Sequence, residues 1–114
     1  MKVLVCGGRD FKDEDFLWSE LDLISSEELI EMVIQGEALG ADSIAKAWAA
    51  YHKIPCLSVP ADWDKHGKRA GYLRNALMLT FNPDRVLAMP GGKGTEMMCA
   101  LAESKSIPVT QWRK

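Results

Sequence analysis

The sequence predicts an α/β fold, a doubly wound parallel sheet with helices on both faces. Three observations carry that expectation. Short β-rich apolar runs alternate with amphipathic segments of helical period along the whole chain. The pattern β-α-β-α-β-α-β-α-β makes right-handed crossovers that bury each helix stripe on the sheet. Glycines cluster just after the apolar runs, where such sheets keep their loops.

Each element has a local reason. Lys2 to Cys6 is a β-rich run, a first strand covered on both faces. Asp13 to Ser26 puts Leu17, Leu21 and Ile24 at helical spacing, with acids crowding the first turn where the dipole favours them. Ile30 to Gln35 is a second strand, closed by Gly36. Ala41 to Lys53 is a second helix with Ile44, Ala45 and Trp48 on one stripe, Asp42 at its cap and His52 near its end. Cys56 to Val59 is a third strand. Pro60 to Lys68 is a polar loop, longer than the usual ~2–6 residues between strand and helix. Arg69 to Phe81 is a third helix whose apolar face is Ala70, Leu77 and Phe81, with Arg74 on that face. Arg85 to Met89, Thr95 to Lys105 and Ile107 to Trp112 complete the series as strand, helix and strand. The 114 residues form one domain, 1–114, without repeat or linker.

Composition narrows the function classes. Hydrophobic residues are 47% and charged residues 26%, which excludes a disordered or low-complexity chain. Fourteen Lys+Arg against sixteen Asp+Glu give a net charge of −2, which disfavours a nucleic-acid binder. No apolar run approaches the ~18 residues of a membrane helix, and Val3 to Cys6 is too short for a signal peptide. Cys6, Cys56 and Cys99 are an odd number of separated cysteines in apolar surroundings, read as thiols of a reducing cytoplasm. Nothing in the sequence calls for a metal ion or a cofactor.

In such a fold ligands bind beyond the carboxyl ends of the strands. Seven of the nine glycines fall in loops there: Gly7, Gly8, Gly36, Gly40, Gly91, Gly92 and Gly94. Glycine lets backbone amides approach an anion, and a helix start supplies unpaired N–H groups. Lys93 and Thr95, the latter at the expected N-cap, join the last of these loops. Neither GxGxxG after the first strand nor GxxxxGK[ST] is present, so the expected phosphate ligand need be neither a dinucleotide cofactor nor a triphosphate. Arg74 is the sharpest single residue, because an arginine on a helix's inner face needs an anionic partner: a ligand phosphate, or an acid of the chain itself. Asn75 sits beside it, to meet a ribose or base or to bond a loop. Arg9 clamps a phosphate or pairs on the surface. Trp63 stacks on a base or plugs the core. Asp42 contacts a ribose or caps its helix. His66 is an acid–base candidate or a solvated residue, and Lys68 adds a positive charge.

These motifs, in order, resemble a known family. Val5-Cys6-Gly7-Gly8-Arg9-Asp10-Phe11, Gly36-Glu37-Ala38-Leu39-Gly40-Ala41-Asp42, Pro60-Ala61-Asp62-Trp63 with His66-Gly67-Lys68 and Ala70-Gly71, Arg74-Asn75 with Met78, and Pro90-Gly91-Gly92-Lys93-Gly94-Thr95 are similar to the SLOG superfamily. The nearest branch is its small YspA-like, YpsA-related group. The resemblance implies a Rossmann-like sheet in order 3-2-1-4-5. It also implies a nucleotide or nucleotide-derived ligand at the glycine loops, sensed or processed.

A more distant likeness is to the Lonely Guy phosphoribohydrolases, which cut the N-glycosidic bond of a nucleoside monophosphate. Their pattern pairs an Arg with Pro-Gly-Gly-x-Gly-Thr-x-x-Glu. Here Arg74 and the loop match through Thr95, but the Glu position is Met98. A hydrolase reading therefore needs another carboxylate. Glu96 and Asp62 are the candidates, with Asp64 and Asp10 as alternatives; Glu96 lies about 200° around the helix from position 98 and is no simple replacement. A third likeness, to the DprA proteins, would imply nucleic-acid work, which the charge disfavours. Four tryptophans and six methionines in so short a chain point to self-association as a homodimer or higher homo-oligomer, with Trp18 a candidate contact.

Overall fold

The computed structural model describes residues 1–113. The strands are β1 (Lys2–Cys6), β2 (Met32–Gln35), β3 (Cys56–Ser58), β4 (Arg85–Ala88) and β5 (Val109–Gln111). The helices are α1 (Glu14–Glu27), α2 (Ala41–Tyr51), α3 (Trp63–His66), α4 (Ala70–Leu79) and α5 (Lys93–Ser104). One five-stranded sheet runs β3-β2-β1-β4-β5, with every neighbouring pair parallel. The expected order and fold class are thus both present.

Strand periodicity divides the core in two. Val3 and Val5 of β1 face a cluster with Leu17, Leu21 and Trp48 from α1 and α2. Leu4 and Cys6 face the opposite cluster, with Met78, Leu79, Met98 and Cys99 from α4 and α5. All of these are buried. Both faces of β1 are therefore dry, and its near-continuous apolar run follows from that. Trp18 packs partly buried, its Nε1 donating to the Ile44 carbonyl at 3.2 Å. No helix among the described residues is long and apolar enough to cross a membrane.

Five expectations need correction. The segment expected as the polar loop 60–68 folds instead into α3 and a 3₁₀ turn, Gly67–Arg69. Asp62 makes this possible by accepting the Lys65 N–H at 3.0 Å, a side-chain cap. The helix expected over 69–81 is α4, and its inward face is turned by about 90° from Ala70/Leu77/Phe81. Leu77 and Phe81 are 49% and 37% exposed, while Asn75, Met78 and Leu79 are buried. Thr95 is not a cap: α5 begins earlier, behind Gly92, and Thr95 is a buried residue of its first turn. Asp42 does not cap α2, whose N-cap is Gly40. Strand β2 begins at Met32 rather than Ile30.

Candidate functional site

Strands β1 and β4 are neighbours, but their following helices cover opposite faces of the sheet. The chain ends of these strands therefore part, and a cleft opens there. Its volume is about 340 Å³. The β1 and β4 loops meet backbone to backbone at its edge: the Gly8 N–H donates to the Pro90 carbonyl at 2.9 Å. A Cβ on Gly8 would come 2.9 Å from that oxygen, so the contact requires glycine.

Helix α4 supplies one of the cleft's cations, Arg74. Its inward stripe is Gly71, Arg74, Asn75, Met78 and Leu79, spaced i, i+3, i+4, i+7 and i+8. Arg74 Nη1 donates to the Gly36 carbonyl at 2.7 Å, and its Nε donates to Asn75 Oδ1 at 2.9 Å. Asn75 Nδ2 in turn donates to the Gly94 carbonyl at 3.2 Å. The guanidinium is thus held by neutral acceptors. Among the described residues it forms no ion pair with an acid, and its Nη2 has no protein acceptor. Partial burial lowers its pKa, while the nearby Asp42 charge opposes that shift.

Asp42 stands behind Arg74. Its Oδ2 accepts the N–H groups of Gly36 at 3.1 Å and Ala38 at 3.2 Å, which ties the β2 loop to α2. Burial pushes its carboxyl up to about 6, against the pull of the Ala38 and Gly36 amides and the Arg74 charge. It is the one carboxylate lining the cleft among the described residues. The Cys6 thiol lines the floor, and burial raises its pKa well above the ordinary thiol value.

The opposite wall is the start of α5. Gly92 caps it without a side-chain bond, and the first amide bonded back within the helix is Glu96, to the Gly92 carbonyl at 3.1 Å. The amides of Lys93, Gly94 and Thr95 precede that bond and have no partner in the helix. Gly92, Gly94 and Thr95 line the cleft. A Cβ on Gly92 or Gly94 would meet nothing within 4 Å, and neither residue has a positive φ. The protein's own packing thus gives no reason for glycine at either position. Trp63, Lys68 and Tyr72 form the outer rim, with the Arg9 guanidinium carbon 6.0 Å from the Trp63 ring centre.

The structure brings together Gly7, Gly8, Arg9, Asp42, Trp63, Lys68, Arg74, Asn75, Gly92, Gly94 and Thr95 of the expected residues. Gly36 and Gly40 lie behind the cleft wall, under Arg74 and against the Gly8–Arg9 backbone. Gly91 and Glu96 line a second hollow beside β5, where Glu96 Oε1 accepts from Gln111 Nε2 at 2.8 Å. Asp62 is occupied as the α3 cap, and exposed His66 and Lys93 line neither hollow. Gly71 and Met78 entered only as members of the family motifs and not as site residues, although helical spacing at i−3 and i+4 from Arg74 points to both. Cys6 and Ala38, both inside the family motifs, also line the cleft, as do Tyr72 and Met97, which carried no sequence signal.

Comparison with known proteins agrees with this picture. The family model described as YspA, cpYpsA-related SLOG family matches residues 1–66. The Gene 61 protein of Mycobacterium phage D29 is 38% identical over 117 residues, covering 95% of this chain and 93% of the relative. No solved structure matches. With its sheet order, its glycine loops and these matches, the chain belongs to the YspA, cpYpsA-related SLOG family.

Proposed function

We propose that this protein binds a nucleotide or nucleotide-derived molecule by its phosphate, between Arg74 and the first turn of α5. One observation carries the reading: a Cβ on Gly92 or Gly94 would meet no atom of the protein within 4 Å, yet both residues border the cleft. Absent side chains leave room for a ligand to reach the unpaired amides. Arg74 adds a fork with free donors, pre-set by Gly36 and Asn75, on the opposite wall. Family membership supports the nucleotide class.

Calorimetry with nucleoside mono- and diphosphates, ribose 5-phosphate and pyrophosphate tests it. Saturable binding is expected, weakened at least about tenfold by Arg74→Lys, since an ammonium cannot reproduce the fork. No binding from that panel, or full affinity in the Arg74→Lys protein, overturns the reading.

A second reading, N-glycosidic hydrolysis, rests on Asp42. It is the cleft-lining carboxylate, and a value near 6 suits proton transfer at neutral pH. Free base released from a nucleoside monophosphate, and lost in Asp42→Asn, is the expected result. Turnover that survives Asp42→Asn removes the assignment.

A further inference from the structure

We propose that the hollow between the β1 loop, the start of α5 and the end of β5 receives the nucleobase of a nucleotide whose phosphate sits in the Arg74 cleft. The inference rests on the phosphate reading above and extends it from one compartment to two.

The hollow has a volume of about 630 Å³, and both compartments fall in the range of ligand pockets. Gly8, Arg9 and Gly92 line both of them. What separates the two is the ridge where Gly8 meets Pro90 and Gly91, and the glycines there carry no side chain. At the boundary a ligand would pass Gly8 and Gly92, which carry no side chain, and the Arg9 side chain, which lines both compartments.

The chemistries of the two sides differ as the two ends of a nucleotide do. The cleft offers unpaired amides and a guanidinium. The hollow offers Phe11 and Trp112 as apolar walls and Glu96, Gln111 and Arg113 as a polar rim. Trp112 is braced: its backbone N–H donates to the Ala88 carbonyl at 2.9 Å, and its ring meets Phe16 edge-on at 5.4 Å. Its indole Nε1 has no acceptor among the described residues. Arg113 Nη2 donates to Gln111 Oε1 at 3.0 Å and lies 3.5 Å from Glu96 Oε2. These three groups hold one another in place, yet the Glu96 and Arg113 side chains stay 53% and 68% exposed. A rigid aromatic wall beside pre-placed acceptors and donors suits a planar heterocycle with hydrogen-bonding edges.

Calorimetry would compare the 5′-monophosphates of adenosine, guanosine, cytidine and uridine with ribose 5-phosphate. The Trp112 indole N–H signal, assigned with Trp112→Phe, would be followed by NMR. At least one nucleotide is expected to bind tenfold or more tighter than ribose 5-phosphate and to move the Trp112 signal, which ribose 5-phosphate leaves in place. Glu96→Gln is expected to weaken that nucleotide about fivefold and to leave ribose 5-phosphate within twofold. Equal affinities with and without a base, or an unmoved Trp112 signal, overturn the base assignment while the phosphate site stands. If neither nucleotide nor ribose 5-phosphate binds, the phosphate site fails and the hollow's role fails with it.

Discussion

The loop after β2 and the loop before α5 are both rich in glycine, but the protein uses them differently. In the first, Gly36 lies under the Arg74 guanidinium, where a Cβ would come 2.9 Å from both Arg74 Cζ and Asp42 Oδ2. Gly40 has φ 77°, and a Cβ there would come 2.7 Å from the Arg9 carbonyl oxygen. Those glycines let the chain close on itself. In the second loop Gly91 is closed in the same way, since a Cβ there would come 2.7 Å from the Gly8 nitrogen, but Gly92 and Gly94 face open space. The same residue type therefore marks close packing at Gly36, Gly40 and Gly91 and open space at Gly92 and Gly94. Only the surroundings tell them apart.

The largest expected effect comes from breaking the closed loop. Gly40→Ala imposes a strained φ and a backbone clash together, and should cost about 3 kcal/mol or more in denaturant unfolding. A loss under about 1 kcal/mol would mean that the loop can rearrange and that the contrast is false.

The second effect is a pH dependence anchored in the same loop. The Asp42 carboxyl is raised from 3.8 to about 6 by burial, so the folded protein holds that proton more tightly than the unfolded chain. The stabilisation is complete below about pH 4 and is lost as pH rises through about 6, an effect of about 3 kcal/mol. Asparagine keeps an acceptor for Gly36 and Ala38 but cannot titrate. The stability difference between wild type and Asp42→Asn should therefore change by that amount between pH 4 and 7. Parallel pH profiles would remove Asp42 as the cause.

The smallest effect on stability is expected in the open loop. Gly94→Ala should leave the unfolding free energy unchanged or raise it by up to about 1 kcal/mol, since Ala favours the helix. The same variant should weaken phosphate-ligand binding in the calorimeter. A destabilised Gly94→Ala protein would place Gly94 with Gly36 and Gly40. A stable one with undiminished binding would mean that the open space serves no ligand.

Helix α4 shows where sequence reading goes astray. Its apolar residues alone point to Leu77 and Phe81 as the inner face, yet the inner stripe carries Gly71, Arg74 and Asn75. A helix that walls a binding cleft turns polar groups inward, so its hydrophobic period no longer marks its buried side. Arg74 was singled out because it was assigned to the Ala70/Leu77/Phe81 face; that face is turned, yet Arg74 still lines the cleft. Asp62 was legible as a side chain but not as a cap, since the short helix it starts has no periodicity to detect. The carboxylates proposed for catalysis, Glu96 and Asp62, lie outside the cleft, and Asp42 lies within it.

The alternation of strands and helices follows from local apolar period, and the parallel sheet follows from that alternation. The glycine loops at the strand ends were likewise written in the residues themselves. Three-dimensional packing decided the rest: which glycines are filled, which carboxylate faces the cleft, and that a second hollow shares its ridge. Such facts depend on residues brought together across long stretches of chain, as Arg74 is with Gly36, Asn75 with Gly94 and Trp112 with Ala88. No local period or motif spacing encodes those distances.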